Sequence, residues 1–214
     1  MTSIRFPRRG LYLITPDGGD SEALLARVEP LLPWAACLQY RNKRASPGQA
    51  RIEAMRLGDA CRRAGVCFIV NDAPQLAFDV EADGVHIGED DGGIAAARAL
   101  LGPSRAIGVS CYDDAGRARD AVAAGADYIA FGALFPSATK PHARRATPAL
   151  FAAAASLGVP KVAIGGITPD NARGAIEAGA DLIAVIGGVF DAPDPVAAAR
   201  ACAAAFRTQE ENAR

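Results

Sequence analysis

The chain has 214 residues, half of them apolar and 22% charged, with a formal net charge of −1. These values suit one globular domain with a large core, and they argue against disorder and against a nucleic-acid surface built on bulk positive charge. No apolar run reaches the roughly 18–20 residues of a membrane span, and the basic start "MTSIRFPRRG" lacks the apolar stretch and cleavage site of a secretory leader. A cytoplasmic protein is expected. Five cysteines, at 37, 61, 67, 111 and 202, show no CxxC spacing and read as reduced thiols without a disulfide framework or a zinc site.

Taken along the chain, short Ile- and Val-rich runs alternate with Ala-, Leu- and Arg-rich segments of helical character. A strand at 11–15 precedes a helix at 21–32; 37–41 precedes 46–65; 67–71 precedes 73–81; 84–88 precedes 92–101. The alternation continues with 106–110 and 114–124, 128–135 and 147–157, 161–166 and 170–178, and 182–187 and 194–207. Mostly apolar strands of this kind suit a parallel sheet buried on both faces. Ser46-Pro47, Thr147-Pro148 and Thr168-Pro169-Asp170 read as helix starts, and Gly65, Gly125, Gly158 and Gly179 as helix stops. "AAGADYIAFG" echoes in "EAGADLIAVIG", and more loosely in "EADGVHIG". Eight repeated units with no GxGxxG after the first strand favour a (β/α)8 TIM barrel over an open doubly wound sheet. One domain is expected over 1–214, with the barrel at about 10–208 and short flexible termini.

In such barrels chemistry sits where strands end. Strand 2 ends on alternating Gln39, Arg41 and Lys43, which puts all three on one side of an extended strand. Such a set is costly at a barrel mouth unless it meets a ligand such as phosphate, the alternative being a solvated strand end. Strand 3 ends on Asn71-Asp72, and Asp91 (or Asp90) follows strand 4. Two carboxylates beside cations suggest Mg²⁺ shared with substrate phosphates; for Asp72 a helix N-cap is an equal alternative. Strand 5 ends on Ser110, and the stretch after strand 6, "FPSATKPHARR", offers Ser137, Thr139 and Lys140. Strands 7 and 8 end on Gly165-Gly166 and Gly187-Gly188, which let an anion approach backbone N–H groups or simply make tight turns. Two anion sites are implied: one cationic and metal-assisted, on strands 2, 3, 4 and 6, and one glycine-lined, on strands 7 and 8.

The motifs "QYRNK", "VNDAPQLAFDVEADGVHIGEDD", "IGVSCYD", "FGALFPSATKPHA" and "AIGGITPDNA", in this order from Leu11 to about Phe190, resemble the thiamine phosphate synthase family. The resemblance implies a transferase that joins a hydroxymethylpyrimidine diphosphate to a thiazole phosphate, or its carboxylated form, and releases pyrophosphate. It implies that Gln39 and Ser110 contact the pyrimidine. Arg41, Lys43, Asn71, Ser137, Thr139 and Lys140 would hold the diphosphate, and Asp72 and Asp91 the Mg²⁺. Gly166 and the backbone near Ile186 and Gly187 would hold the thiazole's phosphate. Arg41, Lys43, Ser110 and Lys140 are the expected catalytic set. The family commonly has a serine where Gly187 stands.

Two other readings compete. A thiazole tautomerase on the same barrel carries a histidine at the end of strand 6, where this chain has Ala133; a non-catalytic binder of phosphate ligands would have no use for the paired carboxylates. His86 reads as a barrel histidine, His142 as a phosphate contact or a solvated loop residue, and Cys111 and Trp34 as packing residues. Arg62, Arg63, Arg117 and Arg119 read as helix surface. Partners are expected to be small molecules, neither nucleic acid nor membrane, and the sequence leaves self-association open.

Overall fold

The structure is a computed structural model and describes residues 6–136 and 144–207. Eight parallel strands close into a barrel in sequence order, with β8 pairing back onto β1. They are β1 (Gly10–Ile14), β2 (Ala35–Tyr40), β3 (Cys67–Asn71), β4 (Gly84–Ile87), β5 (Ala106–Tyr112), β6 (Tyr128–Gly132), β7 (Lys161–Ile164) and β8 (Leu182–Val185). The helices are α1 (Ser21–Val28), α2 (Pro47–Ala64), α3 (Pro74–Asp79), α4 (Ile94–Leu101), α5 (Ala115–Ala123), α6 (Pro148–Ala153), α7 (Ala172–Glu177), α8 (Gly187–Phe190) and α9 (Pro195–Ala204). None among the described residues is long and apolar enough to cross a membrane.

Strand alternation divides the core in two. Alternate side chains of each strand, such as Leu11, Leu13, Leu38, Val85, Ile107 and Phe131, pack outward against the helices. Their neighbours fill the lumen: Tyr12, Ile14, Cys37, Cys67, Ile69 and Tyr128 among them, with Phe6 stacked on Tyr128 at 3.7 Å between ring centroids. Gly108 makes room for that ring, because a Cβ there would fall 1.9 Å from Tyr128 Cζ. All five cysteines are free and buried.

Several boundaries differ from expectation for local reasons. Helix 92–101 begins at Ile94, since Gly92 and Gly93 are both left-handed, at φ 81° and 82°. Ser46 caps α2 by accepting from Gln49 N, whereas the Thr147 side chain makes no cap bond at α6. The Thr168-Pro169-Asp170 segment is a turn: Asn171 Oδ1 accepts from Thr168 N, and α7 starts only at Ala172. The expected helix 21–32 becomes α1 followed by a 3₁₀ segment, Glu29–Trp34, around two prolines. β6 ends at Gly132, yet Leu134 N and Phe135 N still donate to Ile164 and Gly165 carbonyls, so pairing runs as far as the sequence suggested. α8 was not foreseen; four residues beginning with Gly-Gly carry no helical period.

Candidate active site

The lumen becomes polar toward the C-terminal ends of the strands. Gln39, His86 and Ser110 lie there on β2, β4 and β5, at positions that alternate with outward-facing apolar residues. Asn71 ends β3 in register with His86. Beyond β1 and β2, the buried Thr15 hydroxyl accepts from Arg41 N and donates to Arg41 O, both at 2.8 Å. This small clamp extends the pairing and fixes Arg41 at the mouth.

Of the alternating Gln39-Arg41-Lys43 set, only Gln39 lies on a strand. β2 stops at Tyr40 and Lys43 is in a turn. The three still reach the same region. Arg41 Nη1 binds Asp17 Oδ2 at 2.6 Å, Lys43 N donates to Asp17 Oδ1 at 2.8 Å, and Lys43 Nζ lies 3.3 Å from Asp72 Oδ2. Burial alone would raise the Asp17 carboxyl, but the Lys43 N–H and Arg41 outweigh it and hold the group below its ordinary value.

Asp72 is not a helix cap. It adopts φ 58°, donates its N–H to His86 O at 2.8 Å, and leaves Ala73 as the residue before α3. Its carboxyl faces Asp91, which also accepts from Gly88 N at 2.7 Å. Burial, reinforced by the Asp91 carboxylate, pushes Asp72 above its ordinary value, and Lys43 offsets this only in part. Asp90 is exposed, whereas Asp91 is half-buried and turned inward. Among the described residues no three His, Cys, Asp or Glu side chains converge, so a metal here would rest on the Asp72–Asp91 pair.

His86 is buried and bonded at both ring nitrogens, to Tyr128 OH at 3.1 Å and Ser110 Oγ at 2.9 Å. Burial lowers it to about 4, so the ring is neutral near pH 7.

A second layer holds the cationic loop. The buried Glu53 on α2 accepts from Ser21 Oγ (3.0 Å), Gln49 Nε2 (2.8 Å), Tyr40 OH (2.8 Å) and Asn42 Nδ2 (3.0 Å). Asn42 Oδ1 in turn accepts from Gly18 N and Arg44 N. Arg117 is not plain helix surface. Its Nε donates to Ser110 O at 2.7 Å, and its guanidinium covers the Tyr112 ring, which Arg144 also approaches.

On strands 7 and 8 the glycines permit close backbone approach. Gly166 has φ 65°, and a Cβ there would fall 2.4 Å from Pro136 O; at Gly188 it would fall 2.1 Å from Ile167 O. At Gly187 it would meet Asp191 Oδ2 at 2.7 Å, so the Asp191 carboxylate occupies space a serine would need. Ile186 immediately precedes α8. Ser137, Thr139, Lys140 and His142 lie outside the described residues, although the base of that segment is tied by Ala133 N to Arg144 O at 2.8 Å and Ala146 N to Ala133 O at 3.0 Å.

Sequence reasoning passed over Tyr12, Thr15, Asp17, Glu53 and Tyr128, and read Arg117 as helix surface. Asp17 follows the end of β1, where the rule that found its neighbours would have found it. Glu53 shares a buried face with Ala54, Leu57 and Cys61, a charge on an apolar stripe.

A closed parallel (β/α)8 barrel whose mouth gathers two cations and two facing carboxylates above a neutral polar floor has the form of a TIM-barrel enzyme. A family model for thiamine monophosphate synthase matches residues 11–189. Proteins named thiamine-phosphate synthase from Xanthomonas campestris pv. campestris and from an Azoarcus species are 60% and 59% identical, over 198 and 200 residues. Each alignment spans 92% of this chain, and 96% and 97% of the relative. The solved thiamine phosphate pyrophosphorylase of Pyrococcus furiosus superposes with TM-score 0.83 at 31% identity, covering 94% of this chain and 96% of its own. The chain belongs to the thiamine monophosphate synthase family and is a transferase of thiamine biosynthesis.

Proposed function

We propose that the chain joins 4-amino-2-methyl-5-hydroxymethylpyrimidine diphosphate to 4-methyl-5-hydroxyethylthiazole phosphate, or its 2-carboxy form, giving thiamine monophosphate and pyrophosphate. The observation that carries this reading is the juxtaposition of Arg41, Lys43, Asp72 and Asp91 on loops after adjacent strands. Loss of diphosphate from the pyrimidine methylene builds negative charge on the departing oxygens. Arg41 and Lys43 face that charge, and Lys140 joins them by resemblance. Asp17 keeps the guanidinium and the Lys43 N–H aimed at the mouth before substrate arrives.

The Asp72–Asp91 pair fits Mg²⁺. The two carboxylates face each other with Lys43 against Asp72 alone, and Mg²⁺ is commonly held by one or two carboxylates with waters and phosphate oxygens completing its shell. When bound, Mg²⁺ supplies further positive charge at the leaving group. The positive methylene left behind is stabilised by the pyrimidine's own amino group, so the protein needs no nucleophile, and neutral His86 adds no opposing charge. Gln39 and Ser110 orient the ring, and Gly166, Ile186 and Gly187 offer backbone to the thiazole's phosphate, which sets the attacking nitrogen opposite the leaving group. Asn71, Ser137 and Thr139 complete the diphosphate contacts in this reading.

The test is an assay for thiamine monophosphate from the two purified substrates, with Mg²⁺ and with EDTA. Metal-dependent product is expected. Absence of product in both, with the thiazole phosphate still bound, would overturn the reading.

A further inference from the structure

Five side chains from five strands form one continuous hydrogen-bonded line across the lumen. Gln39 Nε2 donates to Tyr12 OH at 2.8 Å, and Tyr12 OH meets Tyr128 OH at 2.9 Å. Tyr128 OH meets His86 Nδ1 at 3.1 Å, and His86 Nε2 meets Ser110 Oγ at 2.9 Å. Both tyrosines are about fully buried, at 1% and 0% exposure, so solvent cannot substitute for the links they make, while Ser110 at the far end is partly exposed.

The direction of the line follows from its first member. An amide nitrogen only donates, so the Tyr12 oxygen accepts, and the Tyr12 proton goes to the Tyr128 oxygen at 2.9 Å, a stronger acceptor than the neighbouring Cys37 thiol. Tyr128 then accepts and must pass its own proton to His86 Nδ1. A neutral imidazole that accepts at Nδ1 carries its proton on Nε2, which donates to Ser110. Ser110 therefore accepts from below and keeps its own hydroxyl proton for the mouth. Burial raises both phenols and lowers His86 to about 4, so none of these groups changes charge near neutrality.

We infer that this line is a polarity-setting relay, in which Tyr12 and Tyr128 are positioning residues that hold His86 as the Nε2–H tautomer and thereby make Ser110 a hydrogen-bond donor to the ligand. The donor selects an aromatic ring that presents a lone pair, such as an aminopyrimidine ring nitrogen, over a lactam that presents N–H at the same place. The ligand half rests on the proposed contact between Ser110 and the pyrimidine; the tautomer half does not.

The test is ¹⁵N–¹H spectroscopy of the ligand-free full chain with labelled histidine at pH 7. The chain has two histidines, so His86→Gln assigns the signals. A single Nε2–H tautomer is expected for His86 in the parent, and a mixture in Tyr128→Phe and Tyr12→Phe, which free Nδ1 or let Tyr128 turn. An Nδ1–H tautomer in the parent overturns the relay, and so does an unchanged pure Nε2–H signal in both variants. If a variant fails to fold, the parent spectrum and the other variant decide. In the assay, Tyr128→Phe should lower kcat/KM for the pyrimidine diphosphate about tenfold, the worth of one hydrogen bond, with KM for the thiazole phosphate held within about twofold. An unchanged kcat/KM beside the expected spectra would overturn the ligand half. A parent without activity would instead sink the proposed reaction and leave the tautomer result standing.

Discussion

Replacing Glu53 by Gln tests whether a buried carboxylate organises the cationic loop. The substitution is nearly isosteric, so it opens no cavity and reads the loss of the carboxylate's charge and its hydrogen bonding. Glu53 takes two donors on each oxygen: Ser21 and Gln49 on Oε1, Tyr40 and Asn42 on Oε2. Glutamine must turn its NH₂ toward one of these pairs. A hydroxyl can rotate to accept, but an amide cannot adapt freely. Asn42 would have to flip and release Gly18 N and Arg44 N, while Gln49 would have to drop Gly19 O. Either way one charge-assisted bond becomes a donor–donor contact, costing about 2–3 kcal/mol. For a chain of this length that is roughly 4–12 °C in Tm. Burial alone would raise the Glu53 carboxyl, but its four donors outweigh this and hold it below its ordinary value. A lowered folded pKa gives stability that is fully present above the unfolded value, near about 4.3, and is lost as pH falls through the folded one. The Tm gap between parent and variant should therefore be full at neutral pH and close in acid. Calorimetry over a pH series, with KM for the pyrimidine diphosphate measured alongside, checks both halves. A Tm within about 1 °C of the parent together with an unchanged KM would refute the reasoning.

Asp91→Asn removes the like charge that helps raise Asp72. An acid raised by folding contributes stability below its unfolded pKa and loses it as pH rises through the folded one, so the metal-free variant should melt a few degrees above the parent at neutral pH. It should also gain less Tm than the parent when Mg²⁺ is added; equal responses would argue that Asp91 holds no metal. Gly108→Ala drives a Cβ into the Tyr128 ring and should cost about 3 kcal/mol or more, with Tyr128→Leu in the same chain recovering part of it; a single variant that melts like the parent would show that the ring is not held there. Lys140→Ala should lower turnover by about 100-fold or more while calorimetric binding of the thiazole phosphate stays within about twofold, and normal turnover would remove Lys140 from the leaving-group contacts.

The barrel was legible because each strand is a short apolar run bounded by a helix stop and a helix start, a period that survives small errors at the ends. β5 ran two residues longer than its apolar run suggested because its pairing shifts register between Ser110 and Tyr112, an irregularity that leaves no mark in residue type. Gln39, Arg41, Asp72 and Asp91 stood out as candidates because polar residues at strand ends have few structural uses in such a fold. Asp72 could not be separated from a helix cap until its left-handed backbone was seen. The relay tyrosines were invisible for a different reason. In a strand buried on both faces, alternation does not tell the lumen from the outer shell, so Tyr12 and Tyr128 looked like any other core aromatic. Lys43 reaches the cluster from a turn and not by the strand periodicity that singled it out.

The five sealed cysteines make the chain its own unfolding reporter. A thiol-reactive dye has no target on the folded surface, since Cys37, Cys61, Cys67, Cys111 and Cys202 are all enclosed, and burial pushes Cys111 up to about 12 and Cys202 up to about 11. Colour then develops only as molecules open. Cys37 and Cys67 lie within the lumen, and Cys61 and Cys202 in the shell between barrel and helices. The order in which these sulfurs become labelled would distinguish helices peeling away from a barrel that comes apart, without any engineered probe.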